Sequence, residues 1–192
     1  ETAPKAAGPQ WFYVNGQPLP IIEAIPGGRS VGVPGNLRLA ALAHAHHGKL
    51  AWRALFQPAI RLARDGFVMT PRLYAMLSRF PRTGALDPQA RAIYYRADGQ
   101  PLPAGTVIRN PALAETLEKI AAQGADSFYA GDNAATVAAK VGTAPRNPAP
   151  LTTADLAGYQ AKGRAPVCGD YRGYRVCGMG PPSSGATTVY AI

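Results

Sequence analysis

An α+β chain, mostly helical and closed by one β-hairpin, is what this sequence predicts, on three observations. A capping residue followed by proline, the arrangement that starts a helix, recurs at Thr70-Pro71, Asp87-Pro88 and Asn110-Pro111. Apolar residues from Leu37 to Ala63 return at helical spacing. Tyr, Val and Cys flank Arg172-Gly173 in a strand-turn-strand pattern, and Pro181-Pro182 then ends sheet pairing because neither residue donates a backbone N–H.

Residues 1–35 are rich in breakers (Pro4, Pro9, Pro18, Pro20, Pro26, Gly27, Gly28, Pro34). They read as an extended or looped segment with at most a short turn at residues 10–14. A helical region spans residues 36–160. Leu37, Ala40, Ala41 and His44 form its first stripe, and Gly48 stops it. Trp52, Leu55, Phe56, Ala59, Ile60 and Ala63 form the second, with a kink or restart expected at Pro58. Leu73, Met76, Leu77 and Phe80 read as core packing, as do Leu113, Leu117 and Ile120, with Glu115 and Lys119 paired on the outside. Residues 98–101 suggest a tight turn and 105–108 a short strand. A helical turn at 126–129, a helix from Asp132 or Asn133 to Val141, a linker at 142–150 and a short helix capped by Thr153 follow. Residues 161–192 hold the hairpin and, capped by Ser183 or Ser184, the start of a last helix at 186–192. The sequence shows neither an internal repeat nor a second domain, and apolar faces at 37–47 and 186–192 are expected to be exposed unless a partner covers them.

At 192 residues there is room for one substantial core or two small ones. The chain opens on Glu1 and reads as a piece of a longer polypeptide. No apolar run approaches the ~20 residues of a membrane span, so none is expected. The excess of 20 Lys and Arg over 11 Asp and Glu would suit a nucleic-acid partner. However, Arg38, Arg53, Arg61, Arg64, Arg72, Arg79, Arg82, Arg91 and Arg96 are dispersed among apolar residues without an aromatic platform, so no nucleic-acid binding is expected. His44, His46 and His47 do not share one helical face and have no carboxylate or cysteine nearby in sequence. They read as a polar helix end, and no metal site is expected.

Cys168 and Cys177 bracket the hairpin. A two-residue turn at Arg172-Gly173 sets them opposite each other in a non-hydrogen-bonded pair suited to a cross-strand disulfide. A type I turn over residues 170–173 with a bulge at Gly173 instead sets Cys168 opposite Val176. Both registers fit the sequence. So do a bond, as in an exported protein, and two reduced thiols.

Several stretches resemble the large subunit of γ-glutamyltransferases. Asp170-Tyr171-Arg172-Gly173-Tyr174 is followed by Pro181-Pro182-Ser183-Ser184-Gly185, where the usual form is Pro-Pro-Ser-Ser-Gly-Gly and Ala186 replaces the last glycine. Gln57-Pro58-Ala59-Ile60-Arg61-Leu62-Ala63-Arg64-Asp65-Gly66-Phe67 is similar to a family segment almost letter for letter. Phe128-Tyr129-Ala130-Gly131, Asp155-Leu156-Ala157-Gly158-Tyr159 and Val33-Pro34-Gly35 also resemble family segments. Glu1-Thr2-Ala3-Pro4 is similar to the end of Arg-Glu-Thr-Ala-Pro. The resemblance spans residues 1–192.

The resemblance implies an N-terminal-nucleophile (Ntn) hydrolase with a four-layer αββα sandwich. In such enzymes the precursor cuts itself and the freed N-terminal Thr attacks an amide. That Thr would lie outside this chain. Thr187 and Thr188 are internal and no His follows them, while Ser183 and Ser184 lack a Gly-x-Ser-x-Gly frame and a His partner. No catalytic residue is therefore expected here. The resemblance places Glu1 beside the substrate pocket, after an Arg that grips the donor α-carboxylate. It implies a γ-glutamyl peptide such as glutathione as donor, the small subunit of the same precursor as partner, no cofactor, and a periplasmic or secreted location. A cephalosporin-acylase-like hydrolase and a non-catalytic scaffold are the alternatives.

Overall fold

Thr70, Asp87 and Asn110 each accept a first-turn backbone N–H with the side chain, and Pro follows each one. They start the helices Pro71–Arg79, Pro88–Tyr94 and Pro111–Gln123. These elements belong to a computed structural model that describes residues 2–191, the side chain of Arg82 apart. The described chain divides into two compact units, Thr2–Tyr159 and residues 160–191.

The first unit has two cores. In one, helices Trp52–Asp65 and Pro111–Gln123 pack through Ile60, Ala63, Ala114 and Ala121, flanked by Phe56 and Leu117. The small alanines let the helices approach closely, and the Trp52 indole N–H reaches the Ile120 carbonyl at 3.1 Å. Helix Trp52–Asp65 runs through Pro58 without a restart. Proline deprives the carbonyl four residues earlier of its partner, and here Ala54 is exposed so that water can serve it. The buried face of Pro111–Gln123 is Ala114, Leu117, Ile120 and Ala121. Leu113, expected inside, is 46% exposed. The stripe of helix Pro71–Arg79 is likewise not core: none of its residues is buried, and Met76 is 46% exposed. Periodicity marks a face but does not say that anything covers it.

The other core gathers Val33, Tyr129, Ala134, Val141, Ala149, Leu151 and Leu156. Ala149 and Leu151 lie in or beside the stretch read as a linker, whose backbone crosses the core instead. The opening segment also holds more structure than its breakers suggested. Asn15-Gly16, at φ 52° and 75°, turns strand Tyr13–Val14 back onto Gln17–Pro18. Asn-Gly tolerates left-handed backbone at both positions of a type I′ turn. The helix Ile21–Ala24 and a 3-10 turn at Gly28–Ser30 follow. Strand Val107–Ile108 pairs with a second strand, Phe67–Val68, too short to show any alternation in sequence. Helix Asn36–His47 has no fully buried residue, but Leu37 of its expected exposed stripe packs partly buried against this core. No helix among the described residues is long and apolar enough to cross a membrane.

In residues 160–191, strands Val167–Tyr171 and Tyr174–Gly178 pair antiparallel with Tyr171 opposite Tyr174 and Cys168 opposite Cys177. Arg172 at φ 48° and Gly173 at φ 82° form the two-residue turn, so the bulged register does not occur. Helix Gly185–Tyr190 follows. Ser184 holds its N-cap position without a side-chain cap bond, and Ser183 lies outside it. Ala186 and Val189 of this helix are buried, against the exposed face expected there, while Tyr190 is 83% exposed.

Candidate functional site

The segment resembling the substrate-side motif is tied down by backbone bonds. Glu1 lies outside the described residues. Thr2 accepts the Val33 N–H at 2.9 Å, Pro4 is buried, and the Lys5 N–H donates to Asp155 Oδ1 at 2.9 Å. Asp155 also completes a capping box. The cap is Thr152, one residue before the expected Thr153, because a box needs the carboxylate three positions after the cap. The Thr152 hydroxyl, then the Lys5 N–H, hold the Asp155 carboxyl below its ordinary value. A carboxyl lowered in the folded state stabilises the fold above the unfolded value of about 3.9 and loses that contribution as pH falls through the folded one. Asp155→Asn is therefore expected to cost roughly 1 kcal/mol at neutral pH. Urea titrations at pH 7 and pH 3 check this, since the gap to the parent should narrow in acid.

Behind this segment lies an aromatic and cationic cluster. Tyr129 is 1% exposed, its ring stacks on Tyr159 with centroids 6.3 Å apart, and the Arg38 guanidinium lies 4.5 Å from its centroid. The Tyr129 hydroxyl accepts the Arg38 backbone N–H at 3.2 Å. That N–H belongs to the first turn of helix Asn36–His47, whose N-cap is Gly35 and has no side chain to cap with. A Cβ at Gly35 would also strike the Tyr159 hydroxyl. Arg38 pairs with Asp126, while its Nε is buried without a partner. Burial raises the Tyr129 phenol above its ordinary value. No local sequence pattern signals this capping role of Tyr129, because its partner lies 91 residues away.

Beside this cluster, a cleft of about 610 Å³ is lined in part by Trp11, Tyr13, Arg29, Pro148 and Pro150. Two of its polar groups are engaged. The Trp11 indole N–H donates to the Arg29 carbonyl at 2.7 Å, and the Arg29 guanidinium donates to the Tyr13 carbonyl at 3.3 Å.

In the smaller unit, Pro181 and Pro182, joined by a cis peptide bond, open the Pro181–Gly185 turn. The Ala186 N–H closes it by donating to the Met179 carbonyl at 2.9 Å, and the Arg164 guanidinium holds the Pro181 carbonyl at 3.0 Å. Gly185 is required there, because a Cβ would meet the Met179 carbonyl oxygen at 2.7 Å. Ala186, where the family motif has glycine, is buried with its methyl accommodated. Thr187 and Thr188 are helical, and the Thr188 N–H donates to the Ser184 carbonyl at 3.2 Å. Cys168 and Cys177 form a disulfide with Cα atoms 4.1 Å apart. In the larger unit, His44 Nε2 lies 2.8 Å from the Leu50 carbonyl and its ring packs edge-on to Trp52. No group of three or more His, Cys, Asp or Glu that could hold a metal occurs among the described residues.

The sequence profile of the family described as gamma-glutamyltranspeptidase matches residues 1–192. Glutathione hydrolase 3 of Arabidopsis thaliana is 38% identical over 186 residues, covering 96% of this chain and 28% of that protein. The glutathione hydrolase proenzyme of Escherichia coli is 36% identical over 162 residues, 84% of this chain and 27% of its own. The chain thus spans under a third of the length of these relatives. The crystal structure of Helicobacter pylori gamma-glutamyltranspeptidase superposes with a TM-score of 0.87 at 29% identity, covering 97% of this chain and 53% of that one. With the family profile matched from end to end and the backbone shared at that level, this chain belongs to the gamma-glutamyltranspeptidase family.

Proposed function

We propose that this chain is a portion of the large subunit of an enzyme that transfers or hydrolyses the γ-glutamyl group of glutathione-like donors. The nucleophile is a threonine outside this chain, freed by self-cleavage of the precursor, and the small subunit of that precursor supplies the oxyanion donors and most substrate contacts. The intact fold is the αββα sandwich of the Ntn hydrolases, and the location is periplasmic or secreted. The observation that carries the reading is the family match across the whole chain. It is supported by the engaged state of the groups that might have acted alone. The Thr188 nitrogen is held in a helix and both cysteines are bonded.

In this reading the chain's own residues position rather than react. The backbone bonds of Thr2 and Lys5 hold the segment that follows Glu1, which we place beside the pocket. The Pro181–Gly185 turn is a structural element. The test is release of p-nitroaniline from γ-glutamyl-p-nitroanilide by residues 1–192 alone and after mixing with a separately purified small subunit. Turnover only in the mixture is expected. Turnover by the chain alone overturns the reading, binding without turnover favours a scaffold, and hydrolysis of a cephalosporin instead favours an acylase.

A further inference from the structure

Among residues 160–191 few side chains are buried. A two-stranded hairpin with little burial is marginal in water. The sheet here has only two strands, and the buried apolar residues of the unit are Ala186 and Val189. The Cys168–Cys177 bond cross-links the two strands.

The register also decides where that bond faces. Side chains alternate along a strand, so Val167, Gly169 and Tyr171 share a face with Tyr174, Val176 and Gly178. Helix Gly185–Tyr190 packs on this face: a Cβ at Gly169 would meet Val189 Cγ1 at 3.1 Å, and one at Gly178 would meet the Gly185 carbonyl oxygen at 2.8 Å. Cys168, Asp170, Arg175 and Cys177 occupy the opposite face. Cys177, Asp170 and Arg175 are exposed, and Cys168 is half-buried. Asp170 and Arg175 carry opposite charges, so this face does not repel an anionic thiol.

We propose that the Cys177 sulfur is a thiol-exchange site for small monothiols of the glutathione class, and that exchange there releases the hairpin together with the Pro181–Gly185 turn. The incoming thiolate bonds to Sγ of Cys177 as the bond to Sγ of Cys168 breaks. The electron pair leaves on Cys168, which takes up a proton. A second monothiol attacks the mixed disulfide, departs as the symmetrical disulfide, and leaves Cys177 reduced. Cys177 is attacked first because it is the more exposed of the two residues. Loss of the cross-link unpairs strand Tyr174–Gly178, and the Ala186 to Met179 hydrogen bond just after it loses its support. The inference rests on the hairpin alone and not on the proposed transferase activity.

The test treats the full 192-residue chain with millimolar glutathione, traps thiols by alkylation, and maps both adducts and amide hydrogen exchange by mass spectrometry. The expected results are a glutathionyl adduct on Cys177 in excess over Cys168, and roughly 100-fold faster exchange across residues 174–178 and at Ala186, with helices Trp52–Asp65 and Pro111–Gln123 unchanged. The double variant Cys168→Ser/Cys177→Ser should reproduce the fast exchange without any thiol. A disulfide that stays intact, an adduct mainly on Cys168, or exchange that is the same in the oxidised, reduced and double-variant chains overturns the proposal.

Discussion

Tyr129→Ala is expected to lower the stability of the larger unit by about 3–5 kcal/mol, the range for removing a large buried aromatic side chain. Tyr129 is among the largest fully buried side chains, and three groups lose a partner at once. Tyr159 loses its stacked ring, Phe128 loses an edge contact at 5.1 Å, and the Arg38 guanidinium loses the aromatic face beneath it. The first turn of helix Asn36–His47 also loses the oxygen that accepts the Arg38 N–H. Tyr129→Phe isolates that last contribution: the ring stays and a first-turn donor goes unpaired, at a cost of roughly 1 kcal/mol. Urea unfolding followed by tryptophan fluorescence checks both. Trp11 packs against the Tyr129 core and Trp52 lies against the helix pair, so single-tryptophan versions separate the two. A Tyr129→Ala transition that matches the parent would show that the cluster is not what holds this core.

Gly27→Ala is expected to cost about 3 kcal/mol and to detach the opening segment from the rest of its unit, through backbone strain and overpacking together. Gly27 sits at φ 106°, a conformation that side chains disfavour, and an added Cβ would overlap the Arg146 carbonyl. The obstacle is backbone and cannot rotate aside, so the contact must open. Several bonds go with it. The Gly28 N–H donates to the Arg146 carbonyl at 3.1 Å and the Arg29 N–H to the Asn147 carbonyl at 2.8 Å. The Asn147 side chain donates to the Glu23 and Pro26 carbonyls, and Arg146 pairs with Glu23. Limited proteolysis should cut the variant within residues 1–30 while the parent resists. Gly8→Ala is the control, since a Cβ there meets nothing within 4 Å, and it should behave as the parent.

Local chemistry was legible from the sequence wherever the determining partner lies within a few residues. The three cap-and-proline pairs start helices at the residues named, and the turn Asp98-Gly99 forms with Gly99 at φ 82°. Asn15-Gly16 belongs to the same class, its turn signal set among the prolines that break up the surrounding segment. Errors of face had another origin. Leu113 and Met76 recur at helical spacing, yet which side of a helix is covered depends on its neighbour, and on Pro111–Gln123 the small side of Ala114 and Ala121 proved the better seat for Trp52–Asp65.

By itself the sequence determined the helical composition, the hairpin and the family, all of which follow from residue identity and short spacing. Tertiary structure alone decided the register that sets Cys168 against Cys177, the burial of Ala149 and Leu151, and the capping of a glycine-headed helix by Tyr129. The reason is that a hydrogen bond or a packed face is defined by distance in space. The Tyr129 hydroxyl and the Arg38 N–H, 91 positions apart along the chain, become neighbours only when the core around them has formed.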